Sequence, residues 1–133
     1  IVISANTALE SLVGLANVKG NLPGSLAIKD NANLRCLTGL EGVRSVGKDR
    51  FGFSVVISAN DALQSLVGLT GLTGTLPGGL TIQDNGKLFN LTGLQGVTSV
   101  CRNDGNLRIR DNARLLTLHG LESVRYLGKD GGG

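Results

Sequence analysis

The 133-residue chain has no tryptophan and no methionine, and only one tyrosine and three phenylalanines. Aromatic side chains supply much of the bulk of an ordinary globular core. Their scarcity means that Leu, Val, Ile and Ala must fill the interior here. Histidine occurs once, at His119, and no Ser or Cys stands at a spacing that suggests a catalytic triad. Cysteine occurs twice, at Cys36 and Cys101. Bridging requires Cα atoms within roughly 7 Å, and these two fall at different places in non-adjacent repeats, so no intrachain disulfide is expected. Charge is modest as well. The net value of +3 is too small to argue for nucleic acid, and residues from Cys101 onward hold six Lys or Arg against four Asp or Glu, a mild bias. No apolar run reaches the length of a membrane-spanning helix. Glycine is the exception to this austerity. Its 21 copies suit a chain with many tight turns.

What the chain does contain is a repeat. The frame I-x-x-N-x-x-L-x-x-L-x-G-L-x-x-(V/L) recurs with its asparagine at Asn6, Asn31, Asn60, Asn85 and Asn112. The frame isoleucines Ile3, Ile28, Ile57, Ile82 and Ile109 are separated by 25, 29, 25 and 27 residues. Residues 3–46 match residues 57–100 at 28 of 44 positions, so a two-coil block has been duplicated. Units of this length carrying one inward Asn are the mark of a stacked solenoid. The length fits a single domain, 1–133, with coils starting near residues 1, 26, 55, 80 and 107. Both terminal coils are expected to leave Leu and Ile ladders and strand edges uncovered. The chain opens inside a strand, at Ile1-Val2-Ile3 without Met, as a processed or excerpted chain would. Part of a longer array, or of a stacked assembly, is therefore expected.

Each coil reads in the same way. Alternation such as Leu26-Ala27-Ile28 or Leu80-Thr81-Ile82 predicts a short strand with its apolar residues inward. The Asn three residues after the Ile falls at a corner, where its amide can serve backbone groups of its own and adjacent coils. Leu residues six, nine and twelve positions after the Ile line the remaining walls. The Gly of each L-x-G-L permits a positive φ or a close backbone approach. Because Gly interrupts every helix-like stretch, strand or short 3₁₀ turns are expected there. The fold class is all-β: a right-handed, parallel β-helix-like solenoid of about five leucine-rich coils with an Asn ladder.

The L-x-I-x-x-N core resembles that of leucine-rich repeats. The longer pattern L-x-I-x-x-N-x-x-L-x-x-L-x-G-L-x-x-V-x-x-V-G, complete from Leu26 to Gly47, is similar to the receptor L domain. That family occurs in the insulin and epidermal growth factor receptors and in fungal GPI-anchored cell-wall proteins. The resemblance covers essentially the whole chain. It implies an extracellular or cell-surface solenoid with parallel sheets.

Few residues suggest chemistry. His119 occupies the variable position of its L-x-G-L and reads as a surface residue. Asp30, Asp84 and Asp111 each precede the corner Asn. Stacked acids can begin a calcium site or a hydrolytic pair, but a turn residue is the simpler reading. Outward strand columns read Val2, Ala27, Val56, Thr81, Arg108 and Ser4, Lys29, Ser58, Gln83, Arg110, which makes Arg108 and Arg110 the candidate anion contact. Asn90-Leu91-Thr92 is the one N-x-(S/T) sequon and marks Asn90 as the candidate N-glycosylation site. No catalytic residue, metal ligand or cofactor is assigned. The expected function is a non-enzymatic extracellular scaffold, a building block of a cell-surface or filamentous assembly. Its partners would be copies of itself or neighbouring domains of the same array. The alternative is an extracellular module that binds a peptide or glycan on a sheet face. A polysaccharide-cleaving enzyme fits less well, because it would need clustered charges and aromatic sugar platforms.

Overall fold

A computed structural model describes residues 1–100 and 107–128. Among these the chain forms ten strands: β1 (Val2–Ser4), β2 (Gly20–Leu22), β3 (Leu26–Lys29), β4 (Val43–Val46), β5 (Phe53–Ser58), β6 (Gly74–Leu76), β7 (Gly79–Gln83), β8 (Val97–Val100), β9 (Leu107–Arg110) and β10 (Tyr126–Leu127). They wind into a β-solenoid of five coils. One wall is a parallel sheet in the order β1-β3-β5-β7-β9. The frame isoleucines pair across it in one inward row, Ile3 to Ile28 to Ile57 to Ile82 to Ile109. A second wall holds the shorter parallel pairings β2-β4 and β6-β8-β10.

The third side is where the expectation of strand or 3₁₀ structure needs refining. Coils one and three carry 3₁₀ turns at Val13–Leu15 and Val67–Leu69. The rest is a succession of hydrogen-bonded turns without strand. Each corner Asn carbonyl accepts from the Leu three residues on, as in Leu34 N–H to Asn31 O at 3.0 Å and Leu88 N–H to Asn85 O at 3.1 Å. Leu40 N–H then reaches Leu37 O at 3.2 Å, and Val43 N–H reaches Leu40 O at 3.0 Å. Every three-residue step therefore returns one aliphatic side chain to the interior, which is why L-x-x-L-x-x-L spacing fits here without an α-helix. Leu34, Leu37, Leu40, Leu63, Leu66, Leu69, Leu88, Leu91 and Leu94 are fully buried or nearly so. Each contributes about 1.5–3 kcal/mol of burial.

The glycine of L-x-G-L meets one expected need at Gly68 and both at Gly93. Gly68, within a 3₁₀ turn, lies so close to the previous coil that a Cβ would overlap the carbonyl of Leu37. Gly93 has the same crowding against Leu66 and also a φ of +124°. The longest interval, 29 residues, is absorbed by an extra turn between β4 and β5, where Gly52 N–H reaches Asp49 O at 3.0 Å. Asp49 Oδ1 accepts from Phe51 N–H and Phe53 N–H, both at 2.9 Å.

The five asparagines form the ladder. The Oδ1 of Asn31 accepts the N–H and Nδ2 of Asn6, both at 3.1 Å. Asn60 serves Asn31 at 3.2 and 3.3 Å, Asn85 serves Asn60 at 3.2 and 3.3 Å, and Asn112 serves Asn85 at 3.0 and 3.1 Å. Each Nδ2 also reaches back to the frame Ile of the preceding coil: Asn31 to Ile3 O, Asn60 to Ile28 O, Asn85 to Ile57 O and Asn112 to Ile82 O, at 3.0–3.1 Å. One short side chain must accept and donate at once. Asp lacks the donors and would bury a charge there. The residue before each Asn lies in the left-handed region, with φ of 58° at Ala5, 57° at Asp30, 53° at Ala59, 56° at Asp84 and 55° at Asp111. That corner costs about 1–2 kcal/mol for a residue with a Cβ, and the ladder holds it in place.

Burial along the ladder is uneven. Asn31, Asn60 and Asn85 are fully buried, Asn112 is half-buried and Asn6 is exposed. The expectation of a buried Asn thus holds for the interior coils and fails at the first. Asn60→Ala should lower stability by about 1–3 kcal/mol, whereas Asn6→Ala should cost under about 1 kcal/mol, because water can replace its lost partners. Urea midpoints of the two variants against wild type measure this gradient, and equal losses would contradict it.

Candidate functional sites on the solenoid surface

The long sheet presents its outward side chains in two columns whose register follows directly from strand pairing. Thr81 stands opposite Arg108, and Gln83 stands opposite Arg110. Both arginines are exposed. Arg110 is already engaged: its Nε donates to Gln83 Oε1 at 3.0 Å, and its guanidinium lies 3.6 Å from Asp111 Oδ2. An incoming anion would have to compete with that carboxylate. The outward face is otherwise short and uncharged, apart from half-buried Lys29.

The three acids before the ladder owe their identity to the backbone. Asp30, Asp84 and Asp111 occupy the left-handed corner, which Asp tolerates better than most residues. Coils one and three place Ala5 and Ala59 there instead. Among the described residues no group of three or more His, Cys, Asp or Glu side chains is arranged to hold a metal ion.

His119 pairs with Glu122, its Nδ1 lying 2.5 Å from Oε1, and both side chains are more than half exposed. Glu122 is chiefly a turn cap. Its Oε2 accepts Gly120 N–H at 2.8 Å, as Glu41 Oε2 accepts Gly39 N–H at 2.8 Å and Gln95 Oε1 accepts Gly93 N–H at 2.7 Å. The backbone N–H groups of Glu122 itself and of Gly120 hold its carboxyl below the ordinary value. Desolvation opposes that effect and His119 adds to it. The neutral Gln95 in the same role shows that the position requires an acceptor and not an acid.

Asn90 is half-buried, with Leu91 fully inward beside it. Its Oδ1 accepts Thr92 N–H at 3.0 Å, closing a turn within the sequon. Cys36 is half-buried and unpaired, and Cys101 lies outside the described residues.

One surface feature has no counterpart in the sequence reading. A hollow of about 510 Å³ lies on the turn side of the last three coils, lined by Gln64, Lys87, Phe89, Ala113, Arg114 and Leu116. Phe89 is 43% exposed and Leu116 is 86% exposed. They continue a column in which Arg35 N–H bonds Glu10 O, Gln64 N–H bonds Arg35 O, Phe89 N–H bonds Gln64 O and Leu116 N–H bonds Phe89 O. That column is charged or polar in its first three coils and apolar in its last two. The change in character was the available signal.

Comparisons with protein-family models, with curated proteins and with solved structures each returned no significant match.

Thr81, on the outward face, is 5% exposed, and its Oγ1 has no hydrogen-bond partner among the described residues. An unsatisfied buried hydroxyl costs about 1–3 kcal/mol, and an apolar isostere removes that cost. Thr81→Val should therefore raise stability by about 1 kcal/mol, read as a higher urea midpoint with an unchanged slope.

Proposed function

We propose that the chain is a non-enzymatic structural solenoid, a building block of a larger cell-surface or filamentous assembly. The observation that carries this reading is the stack itself, in which the Asn ladder and the paired frame isoleucines tie each coil to its neighbours along one axis.

A role outside the cell is supported by the resemblance of the repeat to receptor L domains and by the sequon. Asn90 is the position we assign to N-linked glycan. Protein secreted from a eukaryotic host should gain the mass of one glycan, and Asn90→Gln should remove it. Bare wild-type protein would count against the assignment.

A second reading, a recognition module for a peptide or glycan, draws on the hollow beside Phe89 and Leu116, which sets apolar surface next to the cations Lys87 and Arg114. Sedimentation velocity across a hundredfold range of concentration separates the two. A scaffold unit sediments faster as concentration rises. A monomer throughout the range favours the recognition module.

A further inference from the structure

We propose that Asn85 is a deamidation site kept closed by the fold, so that the ladder is lost irreversibly once this coil has opened.

Asn85-Gly86 is the one Asn-Gly pair in the chain. The other ladder asparagines precede Thr7, Ala32, Asp61 and Ala113. Asparagine is thermolabile because the backbone nitrogen of the next residue can attack its side-chain carbonyl. A Cβ on that next residue hinders the approach, and glycine has none. The step needs only the chain and one water. Gly86 N forms a bond to Asn85 Cγ and gives up its proton. The Cγ–Nδ2 bond breaks, and Nδ2 leaves as ammonia. Water then opens the resulting cyclic imide at either carbonyl, leaving aspartate or isoaspartate at position 85. Mild base speeds the attack by removing the Gly86 proton.

The backbone does not call for glycine at 86. Its φ is not positive, and among the described residues an added Cβ would meet only Asp61 Oδ1 at 3.7 Å and Asp61 O at 4.0 Å, both ordinary contacts. Gly68 and Gly93 differ, since a Cβ there would overlap a carbonyl of the coil before. What Gly86 changes is therefore the chemistry open to Asn85.

The folded ladder withholds that chemistry. Asn85 is fully buried. Its Nδ2 donates to Gln83 O at 2.9 Å, to Ile57 O at 3.1 Å and to Asn112 Oδ1 at 3.1 Å. Its Oδ1 accepts from Asn60 N–H at 3.2 Å and Asn60 Nδ2 at 3.3 Å. These bonds turn the amide back toward its own strand and toward the coils on either side. Bringing Cγ onto Gly86 N means turning it away from them, which requires the coil to open.

Neither product restores the ladder. Aspartate has no donor for Ile57 O, Gln83 O or Asn112 Oδ1, and it would bury a charge. Isoaspartate adds a methylene to the backbone and displaces Leu88, whose N–H bonds Asn85 O at 3.1 Å. The lifetime of the fold in mild base is then set by how often this coil opens.

The test holds wild type and Gly86→Ala at mildly alkaline pH, in buffer and in concentrated urea. Peptide mapping follows each asparagine, and dilution from urea measures the fraction that refolds. In urea, Asn85 should convert ahead of every other asparagine. In buffer it should convert at least roughly tenfold more slowly, because only the open coil reacts. The refolding fraction of wild type should fall in step with intact Asn85. Gly86→Ala should have a urea midpoint at or above that of wild type and keep its capacity to refold. Asp104-Gly105 and Asp130-Gly131 form the same imide by losing water, so their net mass is unchanged and the map separates them from Asn85. Conversion in buffer as fast as in urea, or spread evenly over the asparagines in urea, overturns the proposal. So does a chain with aspartate or isoaspartate at 85 that refolds with the wild-type midpoint. The mapping in urea needs no folded protein, so undiminished conversion of Asn85 in Gly86→Ala overturns it even if that variant does not fold.

Discussion

The corner after each long strand is the constraint on which the rest of this structure depends. There the chain leaves the sheet through a single left-handed residue and enters the turn side, with backbone polar groups facing an aliphatic interior. Only a side chain that accepts and donates over a short reach can serve those groups. The Asn ladder does so while tying each coil to both of its neighbours. Once the corners are fixed, the strands stack in parallel at the register of the frame isoleucines. Each three-residue turn then brings the next Leu into place. A core without Trp or Met follows, because every position faces an equivalent one a coil away and needs only an aliphatic side chain of matching size.

The parts that were legible in the sequence are those that recur at fixed offsets. Ile28, Asn31, Leu34, Leu37 and Leu40 fall at the same intervals in every coil, and the sheet, the ladder and the inner walls follow from them. The 29-residue interval did not obscure this, since the extra residues fall in the Asp49 turn between β4 and β5. The turn side was less legible, because Leu at every third residue suits a bonded turn, a 3₁₀ turn and a ragged strand alike. The acids before the ladder were ambiguous for a different reason. Asp can signal charge or backbone conformation, and only the φ at Asp30, Asp84 and Asp111, shared with Ala5 and Ala59, separates the two. The hollow at Phe89 and Leu116 was not legible, because its column varies from coil to coil and a variable column carries no periodic signal.

The surface chemistry is sparse in a way that bears on function. Arg110 is paired with Gln83 and Asp111, His119 with Glu122, and Arg35 approaches Glu10 at 3.9 Å. These pairs lie on the solvent side, where each is worth little to stability. Exposed cations such as Arg108 and Arg114 stand outside them, and beside Lys87 and Arg114 apolar and cationic groups adjoin. Ligand recognition on this surface would therefore draw on single cations next to apolar side chains and not on a preformed charged cluster.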